Sequence, residues 1–491
     1  MKQKKAIIIG AGFGGLSLAP LLAKQGYKVQ LIEKNNMAGG RARVWKSKGF
    51  TFDMGPSWYL GPEIFEKYFA ELGLKPSDLY QLKRLDPAYR IFFSQDEVID
   101  ISPRLKDVYK LFDSLEENGS EKLKKYLAQS KYQYDVSMEN FIYKEYKSIF
   151  SFINKKLLKE GPKLNVFDTM EKFTAKFFSS DKARKIVSYT MVFLGGSPKN
   201  TPGMYAIMAH MDMNLGVWYP MGGFGVIVEK MVELCKKYQV SFSYNNEVQS
   251  ILVKDGKACG VKTNKGTYTA DVVISNADLQ FTETKLLSKQ YQSYPKEYWD
   301  KKIISPSAFI VYLGVKRKVK NLQHHNLVLA NDWNQHFNAI FDQPSWNTNP
   351  SYYISCPSKS DPSVAPKGME NIFILVPSAP GLNDTDTARE KYYHMIMKDL
   401  QKNIGDDFEK DIIVKRIYSQ RDFIKDYHAY KGTALGMAPT FFQSAYFRPN
   451  HLSKKVKNLF YTGLYNHPGT GVPMVMISSQ IAAEEILKND K

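Results

Sequence analysis

Along the chain, apolar positions gather into short continuous runs that stop on glycine, and two such junctions organise the rest. Residues Lys5 to Gly10 read as a buried strand, Ala6-Ile7-Ile8-Ile9, which passes through Gly10-Ala11-Gly12-Phe13-Gly14-Gly15 into an apolar helical pattern as far as Leu22. A second strand is predicted over Lys28 to Glu33. At the far end, the apolar strand Asn458 to Tyr461 runs through Thr462 into Gly463, and His467-Pro468-Gly469-Thr470-Gly471-Val472-Pro473 opens a final helix, Met474 to Leu487. Between them, Val240 to Tyr244, Glu247 to Val253, Cys259 to Thr263 and Asp271 to Ser275 read as strands separated by Asp255-Gly256 and Asn264-Lys265-Gly266, the pattern of a strand with a hairpin insert returning to the first sheet.

The first junction is a GxGxxG loop in the strand–helix setting that its chemistry requires. Gly10 permits the tight turn, Gly12 lets a pyrophosphate approach the backbone, and Gly15 lets the helix lie close on the strand. Phe13 and Gly14 complete the loop, and the helix start turns free N–H groups and a positive dipole end towards a phosphate. Glu33 closes the second strand about 20 residues on, where a carboxylate accepts ribose hydroxyls, and Lys34 beside it joins the candidate set. The second junction, Gly463 and Gly471-Val472, offers another helix start, suited to negative charge on a reduced ring.

The residues after Glu33 decide which dinucleotide is expected. Gly39-Gly40-Arg41-Ala42 followed by Gly49 to Pro56 resembles the GGR…D-x-G-P pattern of FAD-dependent oxidoreductases of the amine oxidase and carotenoid desaturase type. That resemblance implies FAD, with Gly40 and Arg41 near phosphate or the flavin edge and Gly55, Pro56 and Ser57 near the isoalloxazine. Asn458 to Glu485 further resembles the C-terminal signature of bacterial carotenoid (phytoene) desaturases. Leu215 to Gly223 is similar to that family's GVWYP-x-GG element, Val273-Ile274-Ser275-Asn276-Ala277-Asp278 to its VVSNAD strand end, and Leu375 to Gly381 to a further segment. Two departures stand out: Tyr465-Asn466 replaces a common Gly-Thr, and Met221 replaces a commonly basic residue.

The resemblance implies an α/β fold, a Rossmann-type FAD-binding domain with a discontinuous mixed α+β substrate domain. The FAD part is expected from residues 1–100, 222–290 and 420–491, and the substrate part from 101–221 and 291–419. Val248 is expected over the adenine. The implied reaction is dehydrogenation of an acyclic or monocyclic carotenoid, of phytoene type or at C-3,4 of a 1-hydroxy or γ-carotene type, with a hydride passing from an allylic carbon to flavin N5. Quinone or oxygen is the expected electron acceptor. His467 is the family-matched candidate for the proton acceptor, against a structural role in its turn. A carotenoid isomerase, a terminal oxidase or an amine oxidase on the same fold is the alternative, although none of the three cysteines lies near the C-terminal signature, where covalent flavin attachment would place one.

Composition adds compartment and partners. With 491 residues the chain is about three times the usual domain length, and 31 Tyr and 29 Phe must fill a core or line an apolar site. Cys235, Cys259 and Cys356 are far apart, which argues for a reducing compartment and no structural metal, and His210, His324-His325, His336, His394 and His428 are read as loop or core residues. No Ser-His-Asp constellation emerges. The start lacks a cleavage site and no run of about 20 apolar residues exists, so a cytosolic protein is expected. The net charge of +19 with no nucleic-acid module favours anionic lipid as partner. Phe141 to Gly161, with Ile142, Tyr146, Ile149, Phe150, Ile153 and Leu157 opposite Lys144, Lys147, Lys155, Lys156 and Lys159, reads as an amphipathic helix on a membrane surface or on the substrate domain. A carotenoid resides in lipid, since burial stabilises it by about 0.8 kcal/mol per CH₂, so the enzyme is expected at the inner face of the membrane.

Overall fold

Strands that are buried on both faces carry continuous apolar runs, and the first sheet is built from such runs. A computed structural model describes residues 3–146, 148 and 160–490. In it, Lys5–Ile9 lies at the centre of a five-stranded sheet whose order is Leu459–Tyr461, Val272–Ser275, Lys5–Ile9, Lys28–Ile32 and Ser241–Ser243. Every pairing is parallel, with Ile8 opposite both Ile274 and Leu31. Parallel neighbours need crossover connections, and the helix Phe13–Lys24 supplies the first. It packs against the C-terminal helix Val472–Asn489 and against Phe224–Lys237, so the two ends of the chain meet on one face of the sheet. The expected insert is present: Val248–Lys254, Lys257–Thr263 and Gly266–Thr269 form a separate antiparallel sheet before the chain returns at Val272–Ser275.

A second, seven-stranded sheet runs in the order Ile412–Tyr418, Ser307–Val315, Glu370–Ser378, Tyr352–Ser355, His325–Val328, Tyr89–Phe92 and Val98–Ile101. Tyr89–Phe92 falls inside the expected 1–100 segment and Val98–Ile101 straddles its end, and both pair at this sheet's edge, where Leu327 registers with Ile91. The period-two alternation of side chains assigns its faces. Phe309, Val311, Ile372, Ile374 and Ile354 pack with Tyr392, Ile396 and Leu400 of the helix Asp386–Ile404. Ala308, Ile310, Tyr312, Tyr353 and Leu375 point the other way, into a core shared with Phe50 and Phe52.

Over Phe141–Tyr146 the expected amphipathic helix is absent. A helix spanning Gly119–Asn140 ends just before it, and Phe141 to Tyr143 form a turn. The reason is burial. Phe141 and Tyr146 are both buried in a small cluster with Leu164, so this stretch turns inward and offers no helical stripe to a surface. The remainder of that expectation, residue 147 and residues 149–159, lies outside the described residues. Among the described residues no helix is long and apolar enough to cross a membrane.

Candidate active site

The glycine loop is shaped by contacts no side chain could tolerate. Gly10 has φ +93° and donates its N–H to Ile32 O at 2.8 Å, which ties the loop to the neighbouring strand. A Cβ on Gly15 would stand 2.2 Å from Gly10 O, and one on Gly14 would stand 2.3 Å from Asn276 Oδ1. Gly40 closes on the loop from above, where a Cβ would meet Gly12 Cα at 3.0 Å. Gly39 N–H donates to Ala11 O at 2.8 Å, so the Gly39-Gly40 pair and the first loop form one backbone cradle.

Charged groups are distributed around that cradle. Glu33 is buried, and its Oε2 accepts Ala11 N–H at 2.8 Å while Oε1 accepts Asn35 N–H at 2.8 Å. Lys34 is tied back, donating to Lys425 O at 2.6 Å and lying 3.1 Å from His428 Nε2; burial lowers its pKa. His428, expected only in a loop or core, helps line the cavity with its ring stacked 3.9 Å from Phe281 and its Nε2 2.7 Å from Glu247 Oε1. Arg41 is the least satisfied of these groups. Its Nε is buried without a partner, its NH2 reaches Thr433 O only at 3.4 Å, and its guanidinium lies 5.0 Å from the Tyr427 ring. A partly buried guanidinium held this loosely fits an anion such as a pyrophosphate.

Two motifs that are far apart in the chain prove to be one device. Asp53 accepts Phe224 N–H at 2.8 Å and Gly225 N–H at 2.9 Å, capping the helix Phe224–Lys237. Burial pushes the Asp53 carboxyl up to about 7 although both N–H bonds pull it down. Gly223, with φ +89°, is required because a Cβ would stand 2.5 Å from Asp53 Oδ2. This cap sets the path of Gly55, Pro56 and Ser57, which follow it into the cavity wall. Trp58, next along, stacks on His325 at 4.2 Å, and His325 Nδ1 is 2.6 Å from the Tyr353 hydroxyl.

The C-terminal junction completes the enclosure. Gly463 has φ +118° and Gly471 φ +113°, and the helix begins at Val472. Ser479 donates to Gly14 O at 2.8 Å, which locks this helix to the first loop. Asn276, which the sequence placed in a motif but not among the site residues, sits between them: its Nδ2 donates to Gly10 O at 3.0 Å, and its Oδ1 is 3.1 Å from where a Gly463 Cβ would stand. His467 lies in the wall with its Nε2 3.1 Å from Phe141 O, and its Nδ1 is buried without a partner; burial lowers its pKa to about 4.

All the expected site residues other than Gly15 line one cavity of about 890 Å³. From the glycine cradle and Val248 it continues across the inner face of the second sheet, past Ala308, Ile310, Leu375 and Pro377, to a rim that includes Phe167 and Phe441. Gly15 serves from behind, through the helix packing described above. Pockets of this size and apolar character with a few converging polar groups are the usual form of a small-molecule site. Among the described residues no group of three His, Cys, Asp or Glu is arranged to hold a metal ion.

Comparison with known proteins identifies the family and the fold. The family model described as flavin containing amine oxidoreductase matches residues 13–487. A carotenoid 3,4-desaturase of Haloarcula japonica is 41% identical over 483 residues, covering 98% of this chain and 98% of that protein. A zeta-carotene-forming phytoene desaturase of Myxococcus xanthus is 29% identical, covering 99% of this chain and 94% of its own. Among solved structures, an oxidoreductase from Methanosarcina mazei matches with a TM-score of 0.64 at 17% identity, over 99% of this chain and 100% of that one.

Proposed function

This chain belongs to the carotenoid desaturases within the flavin containing amine oxidoreductase family, and we propose that it introduces the C-3,4 double bond of an acyclic or monocyclic carotenoid. It is an FAD-dependent oxidoreductase acting on CH–CH groups. What carries the reading is the continuous cavity of about 890 Å³, which joins a dinucleotide cradle to an apolar channel. The relative at 41% identity, whose name specifies the 3,4 position, supports the regiochemistry. Desaturation of phytoene is the second reading, supported by the Myxococcus relative's name.

The residues fit FAD. The loop Gly10, Gly12, Phe13 and Gly14 with Gly40 and Arg41 would take the pyrophosphate, Glu33 the ribose, Lys34 and Val248 the adenosine side, and Gly55, Pro56, Ser57, Gly463, Gly471 and Val472 the ring. When bound, FAD accepts the two electrons that leave the substrate as a hydride. The chain itself excludes water and aligns the allylic carbon: Ala308, Ile310 and Leu375 form a flat apolar floor on rigid strands. We assign His467 to the turn, because one ring nitrogen is bonded to Phe141 O and the other has no access to the cavity. Quinone or oxygen then takes the electrons.

The test is pigment analysis in a host that accumulates defined precursors. A new double bond at C-3,4 of a hydroxylated or monocyclic precursor, dependent on Gly12, is the expected result. Conversion of phytoene alone would move the assignment to the second reading, and no new polyene from any precursor would overturn both.

We further propose that the protein collects its substrate at the inner face of a membrane through the cavity rim. Phe167 is 83% exposed and Phe442 70% exposed, and Phe441, 5.5 Å from Phe167 and 5.1 Å from Phe442, joins them at the mouth. Exposed aromatics bordering an apolar channel suit insertion below lipid headgroups, and the net charge of +19 favours an anionic surface. Burying one Phe side chain is worth about 1.5–3 kcal/mol. The double variant Phe167→Ser, Phe442→Ser is therefore expected to lower partitioning onto phosphatidylglycerol vesicles by at least about tenfold. Co-sedimentation measures this, and unchanged binding would place the contact elsewhere.

A further inference from the structure

Three side chains that no sequence motif connects meet behind the cofactor turn. Glu145 Oε2 lies 2.5 Å from His451 Nδ1, and Glu145 Oε1 accepts the His451 backbone N–H at 3.1 Å. His451 Nε2 is 3.0 Å from Ser478 Oγ, and Ser478 Oγ accepts the Gly463 N–H at 3.1 Å. Acid, imidazole and hydroxyl stand in the order of a nucleophilic triad. Roles, however, are set by geometry and access. Ser478 and His451 are each 0% exposed and neither lines the cavity, so no substrate reaches the hydroxyl. One of its lone pairs already accepts the Gly463 N–H. The arrangement positions a backbone turn instead of attacking a bond.

A carboxylate at Nδ1 keeps a proton on that nitrogen; with the ring neutral, Nε2 accepts the Ser478 hydroxyl hydrogen. The Ser478 oxygen is then free to take the Gly463 N–H. Gly463 is thus pinned on one side by Ser478 and bordered on the other by Asn276 Oδ1. The same imidazole also holds the stretch from Phe141 to Tyr146, through Glu145. A second bridge joins the same two regions: His467 Nε2–H donates to Phe141 O at 3.1 Å, and the Tyr146 ring meets the His467 ring edge to face at 5.9 Å. Phe141 and Ile142 line the cavity. Two imidazoles therefore tie one wall of the substrate channel to the turn that faces the cofactor.

Burial supports an ionised carboxylate here only while its partner is in place. Burial pushes the Glu145 carboxyl up, but the His451 imidazole and the bonds from it outweigh that, and the net direction is below the usual carboxylate range. An acid buried on these terms loses its compensation if the turn moves away. Seating of the wall and placement of Gly463 accordingly stand or fall together.

We propose that Glu145 and His451 are positioning residues that couple FAD binding to the seating of the channel wall at Phe141–Tyr146. The inference rests on the cofactor reading above and adds a linkage to it: a ligand that orders the turn must order the wall, and the reverse.

Hydrogen exchange of the full-length protein, with and without FAD, tests this. In the wild type, FAD is expected to slow exchange of the Phe141–Tyr146 amides by about tenfold or more. In Glu145→Gln, which keeps the shape and removes the charge, that protection should fall below about twofold and the FAD Kd should rise about tenfold. Ser478→Thr, which retains a hydroxyl, should keep the coupling, whereas Ser478→Ala should lose it. A residue that only supported the fold would lower the melting temperature and leave the FAD-dependent protection intact. Wild-type exchange over Phe141–Tyr146 that ignores FAD overturns the proposal without recourse to any variant, as does Glu145→Gln with full protection and unchanged Kd. A wild type that takes up no FAD, seen in its absorbance before exchange begins, overturns the cofactor reading and the coupling with it.

Discussion

Gly15→Ala is expected to yield a protein that emerges from gel filtration essentially free of flavin, with FAD affinity reduced by at least about a hundredfold. The new Cβ would stand 2.2 Å from Gly10 O, 3.2 Å from Leu31 Cδ2 and 3.3 Å from Asn276 Nδ2. The closest of these is backbone, so no rotamer change relieves it. Gly10 cannot retreat, because its N–H is bonded to Ile32 O and its carbonyl to Asn276 Nδ2. The helix Phe13–Lys24 cannot lift either, since Ser479 of the C-terminal helix holds Gly14 O from the opposite side. Overpacking of this kind costs about 1–3 kcal/mol in stability, and the distortion falls on the N–H groups proposed to meet the pyrophosphate. Gly26→Ala is the control: it has φ +89° but nothing within 4 Å of its Cβ position, so it should lose about 1 kcal/mol of stability and keep its flavin. Flavin absorbance per protein after desalting reads the result. Stoichiometric flavin in Gly15→Ala would mean that the close helix–strand approach is not what shapes the cradle.

Arg41→Met should separate the free protein from the loaded one by sign. In the free protein Arg41 is a partly buried cation whose buried Nε has no partner, and among the described residues it forms no ion pair with a carboxylate. Asp278 lies close enough for Arg41 to lower its pKa, against a larger rise from burial, yet Asp278 accepts from the Tyr465 hydroxyl at 2.8 Å and from Phe281 N–H at 3.2 Å. An apolar side chain of similar length removes an uncompensated charge. The melting temperature without FAD is therefore expected to hold or rise. With FAD present, the loss of a charge-assisted bond to phosphate, about 1.5–3 kcal/mol, should weaken binding by about ten- to a hundredfold. Calorimetric titration alongside melting curves of both forms decides it. A variant destabilised to the same extent with and without FAD would assign Arg41 to the fold and not to the cofactor.

The parts of this site that were legible in the sequence are those whose requirement is local. A glycine where φ is positive, an apolar run where a strand is covered on both faces, and an acid at a strand end each leave a mark within a few residues. The loop Gly10 to Gly15, Glu33, the hairpin insert after Val248 and the final helix all announced themselves in this way, and the final helix extends only two residues beyond each expected end. Over Phe141–Tyr146 the expected helix is absent for the complementary reason. Its spacing fits an amphipathic helix, but Phe141 and Tyr146 are claimed by a buried cluster from elsewhere in the chain, and tertiary burial overrides a local period.

Partnership across the chain is what a linear pattern does not carry. Asp53 and Gly223 appear in separate motifs, and only the fold shows that the first caps the helix the second begins. Asn276 reads as part of a strand end, and only the fold wedges it among Gly10, Gly14 and Gly463. Glu145, His451 and Ser478 carry no spacing that links them, being separated by 306 and 27 positions. By itself the sequence determined the glycine cradle and the family chemistry, because close backbone approach restricts residue identity position by position. Which polar side chains meet behind that cradle, and which face of the second sheet floors the channel, was decided by the tertiary structure alone, because a buried polar group takes its partner from whatever the packing brings within about 3 Å, irrespective of distance along the chain.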